Sequence, residues 1–294
     1  MMKLSSFFQL LRPQQWYKNL LVFVGAVFAL RLLDFVLWPS MLLGFLSLCL
    51  ISGANYLVND IIDIERDRIH PEKKKRPLAS GAISVNKAVA FYILVAALSF
   101  YGAFQLSLGF FLTAFALFLT NLLYTFILKN VVFVDVVTIS LDYVWRALAG
   151  CYLISVNVSS WLVICVFLLA LLLALGKRKV EIETLEEPSR HRDALKFYSP
   201  DILNRLVSMT SAALLVSYTL YSSMSETGHG RLLWTLPIAT YAILRYNYLL
   251  ESNKSMAENP EKIFRDAPMM IALIVWITMT VALLYIRQIP SLVM

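Results

Sequence analysis

The stretch 59–76 gathers the residues of this chain best suited to chemistry: Asn59, Asp60, Asp63 and Asp67, then Arg68, Lys73, Lys74, Lys75 and Arg76. Asn59, Asp63 and Asp67 recur every four residues, and Asp60, Asp63 and Asp67 follow a three-then-four spacing, so on a helix all lie along one face. Carboxylates this close repel one another and favour protonation unless a cation neutralises them. Hard oxygen ligands on successive turns suit Mg²⁺, which keeps several waters and shares its shell with substrate phosphates. Pro71 and Pro77 bracket the bases and forbid a simple helical continuation. A cation-binding face beside a basic loop is a way to hold a diphosphate. The competing reading is a solvated helix end, "DIERDR", with charges of alternating sign. Against it stands position: Asn59 and Asp60 lie at the edge of an apolar run, where polar side chains are costly and mark function by default.

A second polar cluster, "GKRKVEIETLEE", ends another apolar run and carries Lys177, Arg178, Glu181 and Glu183. Lys177 and Glu181 are one turn apart and share a face. The cluster either contacts the other end of a phosphorylated ligand or anchors its helix at the headgroups, where Lys and Arg snorkel. In "DVVTISLDYVWRALAG", Asp142 and Arg146 are four apart and can pair on a face turned to the bundle interior, as a structural pair or as the polar floor of a substrate cavity. Tyr124, Lys129 and Asp135 stand nearer the end that carries the acidic motif, placed to line the mouth of such a cavity. His70, His191 and His229 show no ligand spacing. Cys49, Cys151 and Cys165 sit in apolar runs and read as buried small hydrophobes, with no disulfide framework.

The elements that must position these residues follow from composition. The chain has 294 residues, 59% hydrophobic and 15% charged, with a mean hydropathy of +0.70. That excludes a soluble domain and indicates an integral membrane protein. Continuous apolar runs without strand alternation select helices over a barrel, at about 20 residues per crossing of a core roughly 30 Å thick. Nine spans are expected, near 19–38, 40–62, 85–105, 108–128, 131–154, 160–178, 204–224, 232–250 and 268–288. The opening "MMKLSSFFQLLRPQQWYKN" lacks an apolar core followed by a small-residue cleavage site and reads as an interfacial entry segment.

With the N-terminus cytoplasmic, every Lys and Arg except Arg31, Arg146, Arg231 and Arg287 falls on the cytoplasmic side, beyond a span or toward its cytoplasmic end. The positive-inside rule then fixes orientation, in a cell membrane, with both polar clusters cytoplasmic. The net charge of +7 therefore speaks for lipid headgroups and phosphorylated substrates, not nucleic acid. A secondary transporter would place its polar residues near the midplane, with broken helices and an internal repeat. Here the strongest clusters lie at helix ends.

At this point the residues resemble a known family. "NDIIDIERDRIHP" is similar to the N/D-D-x-x-D-x-x-x-D signature of the UbiA superfamily of intramembrane prenyltransferases, and the spans and motifs fall in that superfamily's order over nearly the whole chain. The resemblance implies an all-α integral membrane fold of nine transmembrane helices around a central cavity, forming one catalytic domain over 1–294. It implies Mg²⁺ held through Asn59, Asp63 and Asp67, with Glu181 standing where relatives carry a second aspartate-rich motif on the sixth helix. Asp63, Asp67, Lys177 and Glu181 would then be catalytic. Asn59, Asp60, Lys73, Arg76, Arg178, Lys129, Tyr124, Asp142, Arg146, Arg12 and Lys18 would bind substrate.

Within the superfamily, "LRPQQWYKN", "DYVWRALAG" and "GKRKVE", the last followed by Arg192 and Tyr198, look like the polyprenyl-phosphate phosphoribosyltransferase branch. Asp142 replaces a small residue usual there. The branch implies transfer of 5-phosphoribose from phosphoribosyl diphosphate to a polyprenyl phosphate. The alternative is transfer of a prenyl group from geranyl or geranylgeranyl diphosphate to an aromatic or lipid acceptor. In both, a diphosphate-bearing substrate and an isoprenoid lipid meet at the bilayer; the oligomeric state is left open.

Overall fold

The computed structural model describes residues 4–69, 73–184, 193–224, 230–252 and 265–286. Among them the ordered elements are helical, with no strand. The described chain forms two compact units. One comprises 1–26, 32–126 and 145–157; the other comprises 27–31, 127–144 and 158–294.

The first unit opens with α1 (Leu4–Leu10) and a 3-10 segment, Pro13–Phe23. Its principal helices are α3 (Trp38–Ile62), the short α4 (Ile64–Ile69), α5 (Val85–Leu106) and α6 (Leu108–Phe126). A single extended residue, Ser107, reverses the chain between α5 and α6. Its hydroxyl accepts from Phe110 N at 3.1 Å and so caps α6. Phe100, Phe104, Phe111, Phe115 and Phe118 pack edge-to-face or stacked across this hairpin. The unit's core joins Met41, Leu48 and Ile51 of α3 to Phe110, Ala114 and Leu117 of α6 and to Ala149 and Leu153.

In the second unit, α8 (Ser160–Thr184), α9 (Pro200–Met224), α10 (Leu236–Ser252) and α11 (Ala267–Tyr285) pack on one core. That core includes Leu172, Leu175 and Val180 of α8, Leu203 and Leu214 of α9, and Tyr246, Leu249 and Leu250 of α10. The short α2 (Val24–Phe28) and α7 (Val134–Leu153) each contribute residues to both units.

Among the described residues, five helices are long and apolar enough to cross a membrane: Phe35–Ile62, Val85–Leu106, Leu108–Phe126, Ser160–Thr184 and Ala267–Tyr285. Helices α7, α9 and α10 cover three further expected spans. Asp135, Asp142 and Arg146 thin the apolar character of α7, and α10 has only 17 residues. The expected first span, 19–38, is not one helix. The chain there is the 3-10 segment, then α2, then a turn through Leu30, whose φ is 57°. Arg12, also left-handed at φ 48°, sets the entry, and Pro13 supplies the φ of the first 3-10 position. Close packing fixes this segment: a Cβ on Gly150 of α7 would meet the Val22 carbonyl oxygen at 2.0 Å, which leaves room only for glycine. Hydropathy registers apolar length, which a 3-10 run supplies as well as an α-helix does.

Candidate active site

In the first unit, the acidic motif straddles a helix junction. α3 ends at Ile62, Asp63 leaves helical geometry (φ −93°, ψ 11°), and α4 starts at Ile64. The four-residue step survives this break. Asp63 N donates to Asn59 O at 3.0 Å and Asp67 N donates to Asp63 O at 2.8 Å, so Asn59, Asp63 and Asp67 rise one turn at a time. Asn59 and Asp63 are half-buried; Asp60 and Asp67 are buried.

The two buried carboxylates carry arginines. Asp60 accepts from Arg12 and, at 3.0 Å, from Arg76 Nη1; the same Arg76 nitrogen lies 2.6 Å from Asp67 Oδ2. The Arg12 guanidinium also stands 4.9 Å over the Tyr56 ring. Lys73 has its pKa lowered, first by loss of hydration around the ammonium and then by the Arg76 charge, while Asp67 and Asp63 pull the other way. The Lys73 ammonium thus sits in the field of both ladder carboxylates.

The donor set fits Mg²⁺: one amide and two carboxylate oxygens on successive turns are hard ligands of the kind this ion takes. Side-chain cations already stand against two of them, Arg76 on Asp67 and Lys73 in the field of Asp63 and Asp67. Among the described residues, no three His, Cys, Asp or Glu side chains close on a single point as placed, so the ladder would rely on Asn59, water and substrate oxygens to complete a shell.

In the second unit, α8 runs past its expected end at 178 to Thr184, making "KRKVEIET" helical. Arg178 and Lys179 are therefore buried and do not anchor at headgroups. Arg178 Nε donates to Asp135 Oδ2 at 2.7 Å and Nη1 donates to Glu181 Oε2 at 2.5 Å. Lys177 Nζ lies 4.0 Å from Glu181 Oε1. Tyr198 donates to Asp135 Oδ1 at 2.7 Å and accepts from Phe133 N at 2.9 Å. Burial, and then the Asp135 carboxylate, push the Tyr198 phenol well above the usual tyrosine range, so it remains a donor. Lys179 pairs with Glu251.

The remaining candidates are distributed as follows. Arg146 is buried and donates from Nε to Asn19 Oδ1 at 2.8 Å and from Nη2 to Ser52 Oγ at 3.4 Å. Asn19 Nδ2 in turn donates to Cys49 Sγ at 3.3 Å. Asp142 is buried one turn before Arg146 on α7. Tyr124 is half-buried near the end of α6, and Lys129 is half-buried on the 3-10 turn Leu128–Asn130. Lys18 lies 5.9 Å from the Tyr17 ring centroid. His70, His191, His229 and Arg192 lie outside the described residues. Sequence reasoning missed Asn19 and Ser52 as partners of Arg146 and Asp135 as the partner of Arg178. A buried basic residue on an apolar helix must find an acceptor, but no local spacing names one.

Among the described residues the chain is helical, with helices apolar and long enough to cross a membrane and with an acid ladder and basic groups at helix ends. Residues 20–187 match the model of the UbiA prenyltransferase family, and the chain belongs to that family. It is a multi-pass membrane protein and an enzyme, a UbiA-type transferase.

The chain is 28% identical over 273 residues to decaprenyl-phosphate phosphoribosyltransferase of Mycobacterium tuberculosis, covering 91% of this chain and 90% of that one. It is also 28% identical to the Mycolicibacterium smegmatis protein of the same name, over 96% and 93% of the two chains. A digeranylgeranylglyceryl phosphate synthase of Sulfolobus acidocaldarius matches at 39% identity, over 30% of each chain. The fold is similar to a UbiA homologue from Archaeoglobus fulgidus bound to GPP and Mg²⁺, with a TM-score of 0.74 at 21% identity over 95% of this chain and 99% of that one.

Proposed function

We propose that this enzyme transfers 5-phosphoribose from phosphoribosyl diphosphate to a polyprenyl phosphate, with Mg²⁺, at the cytoplasmic face of a cell membrane. The observation that carries this reading is the extent of similarity. The two phosphoribosyltransferases match over nine-tenths or more of both chains, whereas the digeranylgeranylglyceryl phosphate synthase matches over less than a third. The apolar helices would pack against the isoprenoid tail.

In this reading a phosphate oxygen of the lipid attacks the anomeric carbon of the donor, a new carbon–oxygen bond forms there, and the bond from that carbon to diphosphate breaks. The leaving group takes the electron pair. Asn59, Asp63 and Asp67 of the first unit would hold the metal, and Glu181 is the candidate metal ligand of the second unit. Bound Mg²⁺ supplies charge neutralisation on the diphosphate oxygens. Arg12, Lys73 and Arg76 stabilise the charge that grows on the leaving group. Lys18, Lys129 and Tyr124 contact substrate at the cytoplasmic ends. Lys177 is the accessible base of the sixth-helix cluster, while Arg178, enclosed by Asp135 and Glu181, acts by holding Glu181 in place.

Prenyl transfer is the second reading, favoured by the similarity of fold to a structure bound to GPP. The test offers purified protein two substrate pairs side by side with Mg²⁺: phosphoribosyl diphosphate with polyprenyl phosphate, and geranylgeranyl diphosphate with an aromatic acceptor. Turnover of the first pair alone is expected. Turnover of the second pair alone would establish the prenyl reading in its place.

A further inference from the structure

Asp60 differs from its neighbours in the motif. It lies one residue past Asn59, about 100° around a helix of 3.6 residues per turn from that residue. It is 3% exposed, and two guanidiniums converge on one of its oxygens, Oδ1. They come from different parts of the first unit: Arg12 from the start of the 3-10 segment, 48 residues away, and Arg76 from beyond α4, 16 residues away. Arg12 holds a left-handed backbone at φ 48°, an uncommon state for a residue with a Cβ, and its guanidinium lies on the Tyr56 ring. Such an arrangement persists only where its surroundings fix it. A carboxylate buried at the end of an apolar helix is costly without cationic partners, and here the partners are bases that a diphosphate would also attract.

The charges make the arrangement more specific. Asp60 and Asp67 balance Arg12 and Arg76, and Arg76 Nη1 bridges the two acids at 3.0 and 2.6 Å. If Asp67 turns to a metal, Arg76 loses one of its two acids. Asp60 alone then faces two guanidiniums, leaving a net positive pair fixed beside the ladder.

We infer that Asp60 is a positioning residue and not a metal ligand: it gathers Arg12 and Arg76 to one point so that both guanidiniums are held ready for the diphosphate of the substrate. The inference rests on the diphosphate-transfer reading above and assigns to Asp60 a role separate from the metal ladder.

The test uses the full-length protein in detergent with two binding readouts, neither of which needs turnover. Calorimetry follows inorganic diphosphate, with EDTA and with Mg²⁺; electron paramagnetic resonance follows Mn²⁺ in the absence of diphosphate. Asp60→Asn is expected to weaken diphosphate binding by on the order of 10-fold to 100-fold in both media, the range for lost charge-assisted hydrogen bonds, and to leave Mn²⁺ binding within about 2-fold of wild type. Asp67→Asn should do the reverse and weaken Mn²⁺ binding. Arg12→Lys and Arg76→Lys, which keep the charge but lose the planar fork, should each reproduce the diphosphate defect, and they test the proposal by themselves if Asp60→Asn does not fold. Loss of Mn²⁺ binding in Asp60→Asn equal to that in Asp67→Asn would overturn the inference, as would diphosphate affinity unchanged in all three arginine-cluster variants. Failure of the wild-type protein to bind diphosphate in either medium would instead overturn the diphosphate-transfer reading, and this inference with it.

Discussion

Arg178 and Asp135 hold each other at 2.7 Å with side chains 1% and 0% exposed, joining α8 to the start of α7 within the second unit. A buried pair of this kind contributes little over an apolar substitute, but removing one partner leaves the other charged and dry. Arg178→Met should therefore lower stability by about 3–5 kcal/mol. Thermal unfolding in detergent checks this. Tyr198→Phe removes two hydrogen bonds, the one given to Asp135 and the one accepted from Phe133 N, and should cost about 1–3 kcal/mol, ranking below Arg178→Met in the same experiment.

On the acidic ladder, Asp63→Asn and Asp67→Asn should each remove turnover, by at least roughly 100-fold, as expected when a group that stabilises the leaving charge is lost. Their stabilities should separate. Asp63 is half-buried at a helix end and its replacement should leave the melting temperature near wild type, whereas Asp67 is buried against Arg76 and its replacement should lower it. Retained activity in both variants would defeat the ladder's assignment.

Arg146 donates to Asn19 and Ser52 inside the first unit. Arg146→Ala strips these buried acceptors of their donor, so the expected effect is lost folded yield, visible as aggregation in size-exclusion chromatography. Gly150→Ala should act through the same segment, because its Cβ would meet the Val22 carbonyl oxygen at 2.0 Å. Backbone stands on both sides of that clash, so the 3-10 run carrying Lys18 and Asn19 must shift.

Asp266 caps α11, accepting from Met269 N at 2.9 Å, and receives both Nε and Nη2 of Arg245 at 3.0 and 2.7 Å. The Arg245 hydrogen bond holds the Asp266 carboxyl below its ordinary value of 3.8. A depressed carboxylate stabilises the fold fully above that ordinary value and loses the contribution as pH falls through the lower, folded one. Asp266→Asn should thus lower the melting temperature at neutral pH, and the gap from wild type should narrow only below pH 3.8. A gap that closes already near pH 6 would mean another group is responsible.

Much of this was legible in the sequence because it is local. Spacing of four placed Asn59, Asp63 and Asp67 on one face, and the backbone keeps that step even across the break at Asp63. Apolar length located α3, α5, α6, α8 and α11. What escaped depends on partners far along the chain. "GKRK" at a helix end reads as a headgroup anchor until Asp135, 43 residues earlier, encloses Arg178. Arg146 suggests Asp142 as its neighbour by spacing, yet its Nε donates to Asn19, 127 residues away. By spacing Asp60 is one more acid in the motif, and only the fold brings Arg12 and Arg76 onto it.

The most direct test of the proposed transfer is mass spectrometry of the lipid product. Purified protein, Mg²⁺, phosphoribosyl diphosphate and a polyprenyl phosphate should yield a polyprenyl phosphate enlarged by one phosphoribosyl group, with one diphosphate released per product and none of either with Asp63→Asn. Unchanged polyprenyl phosphate, under conditions where the wild-type protein is folded and consumes a prenyl diphosphate instead, would contradict it.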